Sequence, residues 1–187
     1  MHPAITRNGT EWSNASEDRV EIVAPDPSWT RQYEEEAAAL LSVLKPFGDF
    51  RIEHFGSTAV PGLRSKPTID ILLLHSTPAL WPQLLVPVQS LGYAYWSENP
   101  RRERMFFVKG IPPFGPRRTH HVHVRLPHDA ERELVFRDLL RANPMLARQY
   151  ESLKDSLAER YPTDRDAYTD GKTAFISEAL GQGAIQR

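Results

Sequence analysis

One stretch decides the fold of this chain, residues 53–74, EHFGSTAVPGLRSKPTIDILLL. It predicts a strand, a turn at Gly56 and Ser57, a second bend, and then a very apolar strand over 69–74. Glycine relieves the steric limits of the turn, and the serine hydroxyl can bond a ligand oxygen or a backbone amide. The length of the apolar run indicates a central strand that is covered on both faces.

The apolar strand carries a single acid, Asp70, near its start. An ionised carboxylate in such surroundings is costly unless it is paired with a cation or bound to a metal. This cost favours a functional role for Asp70 in a cleft beside the turn at Gly56 and Ser57.

The stretch resembles the GrpB-like family, whose proteins have the nucleotidyltransferase (DNA polymerase β-like) fold. The residues that carry the resemblance lie within 54–63, 66–67, 69–71, 119–124, 136–141 and 150–154. The resemblance implies an α+β fold, with a nucleotidyltransferase-like mixed β-sheet, flanking helices and a helical C-terminal segment. It covers about residues 19–187, which are expected to form a single domain. Residues 1–18 are polar and aperiodic, and they are predicted to be a flexible N-terminal arm.

The acidic pattern of the superfamily is incomplete in this chain. Active nucleotidyltransferases carry Gly-Ser, then Asp-x-Asp or Asp-x-Glu a little further along, and a third acid on another strand. Asp70 matches the second acid of the pair, so the first falls on Thr68, which cannot ionise. If Asp70 is taken as the first acid, the second falls on Leu72. Either way one carboxylate is missing, whereas two-metal transfer needs several anionic oxygen ligands.

Two histidines provide a second candidate for the site, in the run HVHVR at 121–125. Strand alternation places His121, His123 and Arg125 on one face, and two histidines so spaced commonly bind one metal. By the resemblance, this strand is where the superfamily places its third acid. Asp70, His121 and His123 are therefore the predicted catalytic residues, and with His54 they are the predicted metal ligands. The alternative is that the histidines only hydrogen-bond Asp70 and backbone groups.

Basic residues are predicted to hold phosphate groups. Lys66 lies in the loop where the fold places a bound phosphate, and Lys172 puts a cation into the apolar stripe of the last predicted helix. Such lysines either converge on the cleft or reach solvent along their stems. The predicted phosphate contacts are Gly56, Ser57, Lys66, Arg125, Lys154 and Lys172.

The composition narrows the classes of function. The chain has 187 residues, no cysteine and a formal net charge of -1. It therefore has no disulfide, thiolate metal site or cysteine nucleophile, and no global field that would attract nucleic acid. No segment has the apolar length of a membrane span, so a cytoplasmic protein without a membrane partner is expected.

Periodicity and turn signals predict ten elements. The predicted helices span residues 26–45, 77–90, 129–142, 144–160 and 164–180, and the predicted strands span 50–55, 69–74, 93–96, 104–109 and 120–126. Prolines at 82 and 87 are expected to interrupt the second helix, and Asn143 and Thr163 to cap the last two.

Three functions are compatible with these residues. The first is a nucleotidyltransferase-like enzyme that binds a nucleoside triphosphate and a divalent metal (Mg²⁺, Mn²⁺ or Zn²⁺). The second is a non-catalytic pocket for a nucleotide or another phosphorylated small molecule, which Thr68 favours. The third is a single-metal hydrolase built on the same residues. The acceptor and the oligomeric state are not indicated by the sequence.

Overall fold

A computed structural model describes residues 19–99, 103–111 and 114–185. Within these ranges the strands are β1 (Arg51–Phe55), β2 (Ile69–Leu74), β3 (Tyr93–Tyr95), β4 (Met105–Lys109) and β5 (His120–Arg125). The helices are α1 (Ser28–Leu44), α2 (Leu85–Ser90), α3 (Glu131–Ala142), α4 (Pro144–Arg160), α5 (Arg165–Asp170) and α6 (Thr173–Ile185). The predicted flexible arm over 1–18 lies outside the described residues.

The strands form one mixed sheet in the order β1-β2-β5-β4-β3. β2 and β5 are parallel, and the other neighbouring strands are antiparallel. β2 therefore lies in the interior of the sheet, between β1 and β5, and its continuous apolar run is covered on both faces. The mixed sheet with its helices confirms the α+β class and the flanking helices.

The two faces of the sheet differ in character. On the apolar face, buried side chains of β2 and β5 pack against α1, α2 and the 3-10 turns before α2; the strand residues are Ile69, Ile71, Leu73, Val122 and Val124. On the opposite face, here called the cleft face, the same strands present Asp70, His121 and His123. Beyond these polar residues, Leu72 and Leu74 pack against α3.

The interruption predicted for the second helix is present. Pro78–Leu84 forms 3-10 turns around Pro82, and the regular helix α2 begins only at Leu85. Proline lacks the N–H that an α-helix needs in its interior, so the segment starts again after Pro82. The predicted cap at Asn143 is also present, because its side chain accepts hydrogen bonds from the N–H groups of Met145 and Leu146.

The last helix differs from its prediction as one helix over 164–180. It is divided into α5 and α6, and the cap of α5 is Asp164 rather than Thr163. The break lies at Gly171, where a Cβ atom would approach Leu157 Cδ2 to 2.5 Å. A close approach to α4 therefore requires glycine, and the low helix propensity of glycine ends α5 there. Lys172 consequently lies in the junction between two helices.

Among the residues described, no helix combines the length and the apolar character that a membrane crossing needs.

Candidate functional site

The turn after β1 lies directly against Asp70. Phe55 pairs with Asp70 across β1 and β2, and the next residue, Gly56, has φ +73°. A Cβ atom on Gly56 would lie 2.6 Å from Asp70 Oδ2. Glycine is thus required twice, for the backbone conformation and for the close approach of the turn to the carboxylate.

Asp70, His121 and His123 are brought together by the register of the two parallel strands. Asp70 is paired with His121, and Leu72 with His123, so the three polar side chains lie on the cleft face. His121 Nδ1 donates a hydrogen bond of 2.9 Å to Asp70 Oδ1, and His123 Nε2 lies 3.9 Å from the same oxygen. Ligand atoms of all three residues lie within 4.8 Å of one another.

Burial makes both imidazoles neutral at physiological pH. It lowers the pKa of His121 to about 3 and that of His123 to about 4, although Asp70 acts in the opposite direction. Burial alone would raise the pKa of Asp70, but the hydrogen bond from His121 and the nearby His123 outweigh it and hold that pKa well below its ordinary value. The site therefore combines one carboxylate with two neutral imidazoles, which are the protonation states that a metal ion binds.

The buried imidazoles carry polar atoms that find no partner among the described residues. His121 Nε2 and both ring nitrogens of His123 have no hydrogen-bond partner, and each residue is only 8% exposed. The rings are held by aromatic neighbours instead: Phe106 lies 5.1 Å from His121 and 4.7 Å from His123, and Phe55 lies 5.1 Å from His123. Buried polar atoms are normally paired, so these three nitrogens are available for a ligand.

The prediction that His54 is a metal ligand is wrong. His54 pairs with Ile71 in the register of β1 and β2, so its ring points to the apolar face, away from Asp70. There it stacks on Tyr33, with 4.6 Å between the ring centroids, and its Nε2 lies 3.0 Å from Thr58 Oγ1. The prediction failed because alternation along β1 separates His54 from its neighbour Phe55, which lies on the side of Asp70.

Lys66 and Lys172 converge on the ring of Tyr168. The Nζ atoms lie 4.9 Å and 4.5 Å, respectively, from the centroid of that ring. Burial lowers the pKa of Lys66 well below its ordinary value, and the charges of Lys172 and Arg165 lower it further, while Asp70 acts in the opposite direction. Two ammonium groups held against one ring, with Asp70 near enough to act on the charge of Lys66, form a site that favours an anion.

Ser57 joins this cluster through Tyr150. Its hydroxyl lies close enough to the phenol of Tyr150 to lower the pKa of that phenol, which burial raises. Ser57 also begins a 3-10 turn, Ser57–Ala59, directly after Gly56. The turn therefore lies close to both the Asp70 carboxylate and the Tyr150 phenol.

Lys154 and Arg125, which were also predicted to contact phosphate, bind other groups of the protein instead. Lys154 is 2% exposed and donates a hydrogen bond to the backbone carbonyl of Arg64, so its ammonium supports the loop. Its pKa is lowered to about 8 by burial. Arg125 lies at the far end of β5, paired with Leu74, and forms a salt bridge with Glu133. Both residues are on the expected elements, but their charged groups serve the scaffold.

Helices α3 and α4 hold the loop that carries the site. From α3, Arg137 donates hydrogen bonds to Glu53 and to the His54 carbonyl, both at 2.8 Å. Arg141 Nε donates to the Ala59 carbonyl at 3.0 Å. From α4, Glu151 accepts a 2.7 Å hydrogen bond from the Arg64 N–H. These contacts fix both ends of the segment between β1 and β2.

Three site residues were missed by the sequence analysis: Tyr150, Tyr168 and Arg118, whose charge acts on His121 and Lys66. The spacing of Tyr168 four residues before Lys172 was available as a signal, but it was assigned to an apolar stripe. Arg118 lies in a loop, where no periodicity marks it.

A separate groove of about 680 Å³ lies beside the segment between β1 and β2. Its lining includes Tyr33, His54, Leu63, Arg141 and Glu151, and Asp70 lies outside it. Because His54 points to the apolar face, this groove and the Asp70 cleft are on different sides of β1.

Comparison with known proteins gives a family and a fold. A family model described as GrpB protein matches residues 19–182. A UPF0157 protein of Pseudomonas aeruginosa is 53% identical over 176 residues, which cover 94% of this chain and 72% of that protein. The crystal structure of conserved protein GrpB from Enterococcus faecalis has a TM-score of 0.76 and 35% sequence identity, and the match covers 89% of this chain and 98% of that chain.

A more distant likeness concerns the fold alone. The structure of Cid1 poly(U) polymerase has a TM-score of 0.51 and 12% identity, with 78% of this chain and 46% of that chain covered. The sheet and its helices therefore have the nucleotidyltransferase fold, as the resemblance implies.

Proposed function

This chain belongs to the GrpB family, and we propose that it is a nucleotidyltransferase-like protein that binds a nucleoside triphosphate, or a related phosphorylated small molecule, in the cleft of Gly56, Ser57 and Asp70. The observation that carries the proposal is the convergence of Lys66 and Lys172 on Tyr168, close enough for the charge of Lys172 to lower the pKa of Lys66. Two cations held together in a half-buried site repel each other, and an anionic ligand reduces that repulsion.

The turn at Gly56 supports the phosphate assignment. Ser57 follows Gly56 directly, and its hydroxyl can donate to a phosphate oxygen. Phosphate would thus be bound by the turn on one side and by Lys66 and Lys172 on the other. The fold supports this choice of ligand, since the Cid1 structure to which it is similar has MgGTP bound.

A non-catalytic pocket is the second candidate. It is favoured by Thr68, which stands in the position of the first acid, is 5% exposed, and offers a hydroxyl where the superfamily pattern has a carboxylate. The two candidates share the ligand and differ in whether an acceptor attacks the bound phosphate. Release of pyrophosphate from ATP or GTP separates them.

The proposal is tested by titration calorimetry with ATP and GTP, in the presence and absence of Mg²⁺ or Mn²⁺. Lys172→Ala is expected to weaken triphosphate binding by about 10-fold to 100-fold, which corresponds to one charge-assisted hydrogen bond of about 1.5–3 kcal/mol. The matched control is Lys45→Ala, a change at an exposed lysine beyond the end of α1, and it should bind as the wild type does.

Two outcomes would overturn the proposal. One is a wild-type protein that binds neither ATP, GTP nor inorganic triphosphate. The other is a Lys172→Ala variant that binds them as tightly as Lys45→Ala, since the lysine cluster would then have no part in anion binding.

A further inference from the structure

The donors on the cleft face do not fit the pair of magnesium ions that the fold family implies. Mg²⁺ is bound by oxygen ligands in near-ideal octahedra, and two such ions need several carboxylates. Asp70 supplies one carboxylate and Thr68 supplies none; in the part of the chain that the structure describes, the donors grouped with Asp70 are the imidazoles of His121 and His123. Two imidazoles and one carboxylate are ligands that suit Zn²⁺, Fe²⁺, Ni²⁺ or Co²⁺.

We propose that Asp70, His121 and His123 bind one transition-metal ion. The three side chains are delivered by two adjacent parallel strands in register, so their relative position is set by the sheet itself. Their ligand atoms already lie within 4.8 Å of one another. In a tetrahedral zinc site, donors bound at about 2.0–2.1 Å are about 3.4 Å apart, so shifts of about 1 Å complete the site.

The unpaired nitrogens point to a bound ion rather than to a hydrogen-bond network. If the histidines served only as partners of Asp70, one contact from His121 Nδ1 would satisfy that role. It would leave three buried imidazole nitrogens without a partner, one on His121 and two on His123. Removing such groups from water without replacing their hydrogen bonds is costly, and a metal ion that takes one nitrogen from each ring reduces this cost.

The surroundings of the donors are suited to holding a metal. Phe55 and Phe106 pack on the imidazole rings and restrict their orientation. Three protein ligands leave at least one coordination position open, which is typical of catalytic metal sites and not of structural ones. The open position would lie in the same cleft as Lys66 and Lys172, where a phosphate oxygen can complete the coordination.

This inference deepens the proposed function, because the role of the metal rests on that function. The two can be tested separately, since the metal ligands are Asp70, His121 and His123, whereas the proposed anion contacts are Lys66 and Lys172. The metal site changes the expected chemistry from two-metal transfer to the use of a single Lewis acid.

The test is the metal content of protein purified without a histidine tag, followed by calorimetric titration of the metal-free protein with Zn²⁺ alone and with Mg²⁺ alone. We expect one Zn²⁺ per chain and binding of Zn²⁺ at least 100-fold tighter than that of Mg²⁺. His123→Ala should weaken Zn²⁺ binding at least 100-fold. Substitution with Co²⁺ should give visible d–d absorption that is absent from His123→Ala.

The chain contains a matched control in His120. It is also half-buried with an unpartnered Nε2, but its neighbours on β5 that share its face, Val122 and Val124, belong to the apolar core. Its Nδ1 lies 3.0 Å from Thr119 Oγ1. His120→Ala should bind Zn²⁺ within about twofold of the wild type, because an imidazole on the apolar face cannot reach Asp70.

Circular dichroism and urea unfolding show whether His123→Ala is folded, and Asp70→Asn provides a second variant that should lose Zn²⁺. The inference is overturned if the folded wild type binds no Zn²⁺ stoichiometrically, or if His123→Ala and Asp70→Asn bind it as well as His120→Ala does. Triphosphate binding in EDTA is measured separately with Lys172→Ala. Zn²⁺ binding without triphosphate binding would contradict only the proposed function, and the reverse would contradict only the metal site.

Discussion

The two faces of β2 and β5 are built by neighbouring residues and have opposite properties. On the apolar face Ile71 and Leu73 are fully buried in the main core. On the cleft face the ionised Asp70 lies beside two neutral imidazoles. One residue of displacement along a strand therefore separates a side chain of the apolar core from a side chain of the polar site.

The difference shows that the features that reduce stability are concentrated on the cleft face. Buried like charges and unpaired polar atoms reduce stability, and proteins retain them mainly at functional sites. The loops and helices around the cleft compensate for this loss, because α3 and α4 hold both ends of the segment between β1 and β2. Substitutions on each face should therefore have separate effects, on stability for the apolar face and on ligand binding for the cleft face.

The largest effect is expected on the apolar face. Leu73→Ala should lower the free energy of unfolding by about 4 kcal/mol, since a fully buried leucine loses its transfer energy and leaves a cavity. The measurement is urea unfolding, with Leu41→Ala as the control because Leu41 is 45% exposed. A loss below about 1 kcal/mol for Leu73→Ala would contradict the assignment of this face as the core.

The second effect concerns pH and His54, which lies on the apolar face. Burial lowers the pKa of His54 from 6.5 to about 4. Between these two pH values the unfolded chain binds a proton that the folded chain does not, so stability should fall as the pH decreases from 6.5 to 4, by at most about 3 kcal/mol.

The pH effect is isolated by substitution. His54→Gln should remove this part of the pH dependence in urea unfolding at a series of pH values. His128→Gln is the control, because the His128 side chain is 71% exposed. If both variants retain the full wild-type slope, His54 is not the titrating group.

A third effect separates backbone strain from the contact with Asp70. Gly56 and Gly62 both have positive φ, but a Cβ atom on Gly62 would meet nothing within 4 Å. Gly62→Ala should cost about 1 kcal/mol of stability. Gly56→Ala should cost about 2 kcal/mol and also weaken triphosphate binding, because it displaces the Asp70 carboxylate. Equal binding by the two variants would show that the turn does not position Asp70.

The smallest effect is expected in the lysine cluster. Lys66→Met should change the free energy of unfolding by less than about 1 kcal/mol, because burial and Lys172 already disfavour the charge that is removed. Urea unfolding of the variant and of Lys45→Met as a control measures the difference. A loss of 2 kcal/mol or more would make Lys66 a structural residue and would weaken the contrast between the faces.

Much of the fold could be predicted because its signals are local. The apolar run of β2, the alternation of β5 and the cap at Asn143 each depend on a few consecutive residues. The same alternation placed His121 and His123 on one face. The break at Gly171 was missed because it is caused by contact with Leu157 on another helix.

The errors in the site have the same origin. The carbonyl that Lys154 binds belongs to Arg64, 90 residues earlier in the chain. The partner of Arg125 is Glu133 on α3, and His54 points away from Asp70 once β1 is paired with β2. Periodicity assigns a residue to a face of its own element, whereas its partner depends on how distant elements are packed.

The central claim is that Asp70 is present for a ligand and not for stability. It is tested by thermal unfolding of the wild type and Asp70→Asn, each with and without ATP and divalent metal, since a ligand that binds only the folded state raises Tm. The account predicts that the two proteins unfold at similar temperatures without ligand, and that ATP with metal raises Tm for the wild type alone. An equal rise for Asp70→Asn, or its failure to fold, would contradict the claim.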